Sequence, residues 1–285
     1  MTATATPQPI SSPPSGTPPA RPNSALRAAL LLIGTVLLIG LLVPTGVRLV
    51  ALATHENQSG LHQITEDVDS VSLRTVATDV QVRYADVDRA EFEFSQNNPG
   101  LILRHSVRGG ELSIVVERPG RGLGILTPSL SSRGMSNVEV TLPRDSAGAD
   151  LDLRTTAGDA QLEGDFGGLS VNSTAADVRL AGSADSLRVD STATDIVARD
   201  LAVSGPVRID MTAGRVNFHG PELPSLINVG TTATDVLFEL PAGDYEIRTS
   251  TTASTLTQDL SSTVGAERIY EFRSTAGDLH LRERP

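Results

Sequence analysis

The chain has 285 residues, 39% of them hydrophobic, with no Cys, no Trp and a formal net charge of −11. Without Cys there are no disulfides, thiolate metal ligands or cysteine nucleophiles. All 23 basic residues are Arg, and the acidic excess excludes a nucleic-acid binder, which needs positive charge to neutralise phosphates.

Residues 1–26 hold seven Pro among Ser, Thr and Ala and show no apolar periodicity. Such a segment cannot bury enough surface to offset its ordering entropy, so a disordered Pro-rich cytoplasmic tail is expected. From Ala28 to Val47 the chain is uncharged, bracketed by Arg27 and Arg48. At about 1.5 Å per residue, a helix of that length crosses a ~30 Å hydrocarbon core. The expectation is one transmembrane helix, an anchor over 27–53 with the N-terminus cytoplasmic and the rest extracytoplasmic. Ala51-Leu52-Ala53 also fits a small-residue cleavage site, so cleavage after Ala53 stands as the alternative, with the same part exported. Residues 54–68 are expected as a linker and 69–285 as the extracytoplasmic domain. Before Glu56 there are three Arg and no acid, which leaves 20 Arg against 34 acids, or −14, on the remainder.

That remainder is repetitive. The segments TVATDV, TTAGDA, STAADV, STATDI, MTAGRV, TTATDV, TTASTL and STAGDL align on Ala77, Ala157, Ala175, Ala193, Ala213, Ala233, Ala253 and Ala276. The last seven are spaced 18, 18, 20, 20, 20 and 23 residues apart, the mark of a stacked repeat. Before each corner, apolar residues alternate with polar ones: Leu151 and Leu153 around Asp152, Leu187 and Val189 around Arg188, Ile227 and Val229 around Asn228. That is strand periodicity, apolar in and polar out. Thr155 and Ala157, Ser173 and Ala175, Ser191 and Ala193 follow as small positions expected to point inward. A turn such as Gly158-Asp159 or Gly277-Asp278 comes next, with Asp bonding its own backbone and Gly supplying positive φ. A second strand then restarts, as at Val178 and Leu180 or Val236 and Phe238.

The predicted fold is therefore all-β: a β-solenoid of ~20-residue two-strand coils, preceded by one transmembrane helix. Eight coils at ~4.8 Å give a stack of about 40 Å. Residues 69–142 are less regular but still β, with strands expected over 71–82, 90–95, 101–107, 111–117 and 137–142. Pro119 to Met135 has the Gly, Pro and Ser density of a long loop. A β-sandwich competes, since strands punctuated by turns suit both folds, but the same turn at the same phase favours the solenoid. No stretch after Val50 has a helical pattern.

Val138 to Pro143 (VEVTLP), Leu151 to Leu162 (LDLRTTAGDAQL), the S/T-T-A-x-D units and Leu240 to Ile247 (LPAGDYEI) resemble a bacterial putative-adhesin family of unknown function, with β-strand repeats behind a membrane anchor. The resemblance spans roughly residues 67–285. It implies a solenoid-like fold and an envelope location, and it supplies no active site.

The sharpest chemical candidate is an aspartate ladder, Asp79, Asp159, Asp177, Asp195, Asp235 and Asp278, at one phase of the repeat. Stacked carboxylates repel, and a hard cation such as Ca²⁺ would relieve this. Arg215 and Thr255 break the ladder and the glycine-rich Ca²⁺-binding nonapeptide is missing, so turn capping is the preferred reading and no metal is assigned. A threonine row (Thr156, Thr174, Thr192, Thr212, Thr232, Thr252, Thr275) is explained by β-propensity. His55, His62, His105, His219 and His280 lack metal-ligand spacing. No G-x-S-x-G elbow or phosphate loop occurs.

The expected function is a non-catalytic, adhesin-like interaction scaffold of the cell envelope, binding an envelope protein or a cell-wall polymer and needing no cofactor. An envelope-stress sensor relaying to a partner is the first alternative, motivated by the Pro-rich tail. A carbohydrate-active β-helix is the second; it would want convergent carboxylates and aromatic platforms, which three Tyr and six Phe supply poorly.

Overall fold

The structure is a computed structural model that describes residues 59–97, 101–118 and 135–284. The expected tail, the membrane segment and residues 119–134 of the expected loop lie outside the described residues. Among those described, no helix is long and apolar enough to cross a membrane.

Thirteen strands make one curled sheet. The irregular half contributes β1 (Gly60–Gln63), β2 (Ser70–Thr75), β3 (Thr78–Ala85), β4 (Glu91–Ser95), β5 (Ile102–Arg108), β6 (Glu111–Glu117) and β7 (Ser136–Pro143). The repeat half contributes β8 (Ala149–Ala157), β9 (Ala160–Val203), β10 (Pro206–His219), β11 (Leu226–Leu240), β12 (Glu246–Gln258) and β13 (Ile269–Glu283). Among the described residues one 3-10 turn, Arg144–Ser146, is the helical exception. Residues 60–63, assigned to a linker on sequence grounds, pair as β1 with β4, and Ile64 and Val68 are buried beside them.

Each coil has a first arm, a corner and a second arm, and successive coils pair in parallel. Val207 opposes Leu187 on one side and Ile227 on the other; Val216 opposes Ile196 and Val236. The register keeps like positions in columns, so Leu153, Val171, Val189, Ile209, Val229 and Phe272 are all buried along the first arms. Phe218, Phe238 and Leu281 are buried along the second. Each such side chain gains about 1.5–3 kcal/mol by leaving water, but only if a neighbouring coil covers it. Phe218 and Phe238 stack at 4.8 Å, and Phe272 meets Phe238 edge-on at 5.2 Å.

Coils do not stack in sequence order at either end. At the C-terminal end β13 lies between β11 and β12: Ala233 faces Ala276, and Ala276 faces Ala253. The inward residues explain the exchange. Those of β13 are Tyr270, Phe272, Leu279 and Leu281, all buried, whereas the matching positions of β12 are Ile247, Thr249, Leu256 and Gln258. The apolar coil takes the interior and the polar coil caps the end. At the other end β2 and β3 sit between β6/β7 and β8/β9, because β2 pairs with both β6 and β8 and β3 with both β7 and β9. Beyond β6 and β7 the sheet closes with antiparallel β5 and β4, which bring Leu101, Leu103, Phe92 and Phe94 over the core. The β5–β6 hairpin turns on Gly109 and Gly110, both at positive φ, as a two-residue turn matched to strand twist requires.

Candidate functional site

The feature repeated on every coil is the corner. Its alanines were expected to point inward with the preceding Ser and Thr. Only the Ser and Thr do so: Thr155 and Ser173 are buried, while Ala175, Ala193 and Ala233 are exposed and Ala157, Ala213 and Ala276 half-exposed. The alanines stand on the bend, where the side-chain alternation of the two arms breaks, and so form the floor of an open trough of about 380 Å³ running over Ala157, Ala175 and Ala193. Asp159, Asp177 and Asp195 line it as well, with Met135 among the lining residues. The Thr row lies beside the alanines, exposed at Thr156, Thr174, Thr232, Thr252 and Thr275 and half-exposed at Thr192 and Thr212.

Two of the aspartates, Asp79 and Asp235, cap the turn of the neighbouring coil rather than their own. Asp79 accepts the Asp159 main-chain N–H at 2.9 Å, and Asp235 accepts that of Asp278 at 3.0 Å. The parallel register places each of these carboxylates beside the N–H of the residue opposite it on the next coil, a partner 80 or 43 positions away in sequence. Arg215, in an Asp slot, reaches back to Asp195 at 3.6 Å. Among the described residues no group of three or more His, Asp or Glu gathers as a metal would require.

Between Ala and Asp, the residue alternates in space. Thr78 lies against Gly158; Ala176 interrupts the alternation, then Thr194, Gly214, Thr234 and Gly277 follow in order, and Ser254 ends the row. A Cβ on Gly158, Gly214 or Gly277 would come within 2.3 Å of the carbonyl oxygen of Thr78, Thr194 or Thr234 respectively. Close approach and positive φ together demand glycine there. The Thr side chains turn inward: Thr194 joins a buried hydroxyl spine in which Ser173 lies 3.1 Å from Ser191 and 2.5 Å from Thr194, Thr78 donates to Val76 O at 3.0 Å, and Thr234 Oγ1 is buried without a hydrogen-bond partner among the described residues. The spine's partners are hydroxyls and main-chain carbonyls, such as Ala157 O for Thr155 at 3.2 Å, so the spine packs the corner.

Sequence reasoning missed two side-chain groupings. His219 Nδ1 is 2.6 Å from Glu239, one coil away, a pair that the 20-residue period itself encodes. His62 and His105 meet around Phe92, with ring centroids 4.7 Å and 5.0 Å from the Phe and 5.2 Å from each other. No spacing rule signals that cluster, because β1 and β5 are joined only through the end closure. On the first-arm face Arg188 bridges Asp190 at 2.8 Å, and burial, then the Asp190 charge, pushes the Asp210 carboxyl above its ordinary 3.8. Burial likewise pushes the Tyr84 hydroxyl up to about 12.

Comparison with curated proteins finds no match. Among solved structures the chain is similar, at 10% identity, to a putative cell adhesion protein from Clostridium sporogenes, covering 80% of this chain and 100% of that one with a TM-score of 0.37. A putative adhesin from Bacteroides fragilis is 11% identical, covering 80% and 97% with a TM-score of 0.36. One from Parabacteroides merdae is 10% identical, covering 77% and 95% with a TM-score of 0.34. Residues 68–284, from Val68 just before β2 to the residue after β13, match a family of unknown function, and the chain belongs to it: Toastrack DUF4097.

Proposed function

We propose that this chain is a membrane-anchored, extracytoplasmic β-solenoid that serves as a non-catalytic interaction scaffold of the cell envelope. The observation that carries the reading is the row of corners. One Thr, one Ala and, in most coils, one Asp repeat in register at each step, giving an open acidic trough of fixed pitch rather than an enclosed pocket. A periodic surface suits a periodic or extended partner, an envelope protein or a wall polymer, engaged over several coils. The uncharged run from Ala28 to Val47 supports the anchor and the extracytoplasmic placement.

The test is retention of purified cell wall and solubilised envelope protein on the full chain in detergent, with Asp159→Asn/Asp177→Asn/Asp195→Asn as comparison. Specific retention lost in the triple variant supports the scaffold and maps it to the corner trough. No retention by the native chain sinks the reading.

A further inference from the structure

The C-terminal end of the stack carries an unguarded strand edge. β12 pairs with β13 on one side, and among the described residues no strand lies on its other side. Thr249 to Ala253 are all exposed, and between Arg248 and Asp259 the strand has neither charge nor Pro, the usual protections of an edge. The opposite end is guarded: β1 is four residues long, and β5 carries Arg104 and Arg108.

The directions of the free backbone groups are determined. The Glu246 N–H points to β13, bonding Arg268 O at 2.8 Å, so the N–H groups of Ile247, Thr249 and Thr251 point outward. The Asp259 N–H points to Leu281 O at 2.8 Å, so those of Leu256 and Gln258 point outward as well. Ile247 is already satisfied, since its N–H donates to Ser262 Oγ at 2.9 Å. Thr249 and Thr251 on the first arm, and Leu256 and Gln258 on the second, remain open.

We propose that β12 pairs with β12 of a second copy of this chain, forming a two-fold dimer through the C-terminal ends. An axis passing between Ala253 and Ser254 exchanges the two arms and reverses their direction. Thr249 then faces Gln258 of the other copy and Thr251 faces Leu256, each pair exchanging both main-chain hydrogen bonds. The same register sets Arg248 opposite Asp259, a charge-complementary pair formed twice. The corner selects this occupant. A single extended peptide covers one arm, whereas an identical coil bends at the same place and covers both. A two-fold contact also closes at two copies, and no fibre follows.

Native mass spectrometry of the full chain in detergent tests this. The dimer is expected, and Thr251→Pro, which removes an N–H with no partner inside the chain, is expected to halve the mass while leaving the thermal midpoint unchanged at a dilution where the native chain is itself monomeric. Ser250 and Thr257 face each other across the axis as a pair without hydrogen bonds, close enough for a disulfide. Because the native chain has no Cys, mixing Ser250→Cys with Thr257→Cys should cross-link the two variants, and neither should cross-link alone. A monomeric native chain, a dimer indifferent to Thr251→Pro, or a mixture that fails to cross-link overturns the proposal. A monomer whose edge instead takes up an extended peptide in a Thr251-dependent way assigns the edge to a different partner and equally overturns it.

Discussion

Gly214 and Gly148 both have positive φ, 120° and 90°, but only Gly214 lies against its neighbour, 2.0 Å from Thr194 O once a Cβ is added. Gly148→Ala therefore meets only the backbone cost, about 1 kcal/mol. Gly214→Ala must also push two coils apart and should cost more than about 2 kcal/mol. Urea midpoints of the two variants check this, and equal losses would show that coil contact at the corner contributes little. Asp210 gives a pH prediction. Its carboxyl is held above 3.8, so the folded chain binds that proton more tightly than the unfolded chain does. The associated stability is full below the ordinary value and is lost as pH rises through the raised one. Asp210→Asn should raise the thermal midpoint at neutral pH and lose the advantage in acid; a difference independent of pH contradicts the assignment.

For the elements, the exchange of β12 and β13 places chemically unlike residues at matched register positions. Thr249 and Phe272 are partners across the two strands, yet Thr249 is exposed and Phe272 buried against Phe238. Phe272→Ala should cost about 3–5 kcal/mol, and Thr249→Ala within about 0.5 kcal/mol of nothing. If β12 lay inside and β13 at the edge, the order of these losses would reverse. The exchange was legible in one respect: TTASTLTQ has a single apolar residue at its inward positions, a composition that suits a cap. It was not legible from spacing, because a period near 20 aligns every coil equally well with every other. The aspartates follow the same logic. Their turn position was evident, but the N–H that Asp79 or Asp235 caps belongs to a coil chosen by stacking.

Over the whole molecule, the chain enters the sheet at β1, and β12 forms the opposite end. A two-fold pair through β12 sets the two entry points at opposite ends. Combined with the proposed anchor, this favours joining two facing membranes over pairing within one. Vesicles carrying the full chain should tether one another, and vesicles carrying Thr251→Pro should not. Tethering that survives the substitution would separate vesicle contact from the β12 edge.

The alternating arms of each coil and the Ala-x-Asp corner between them were determined by the sequence alone, because each depends on residues within a few positions of one another; that the two arms run on as one bent strand, and that Gly158, Gly214 and Gly277 must be glycine against the next coil's carbonyl, were not. Membership of a repeat family followed from the same local units. The tertiary structure decided which coils are neighbours, and hence that both ends of the repeat are tucked one place inward and that, among the described residues, β12 is left as an edge free of charge from Thr249 to Gln258. Parallel pairing accepts any coil against any other. The choice falls to how much apolar side chain each order buries, a comparison that exists only when all the coils are assembled.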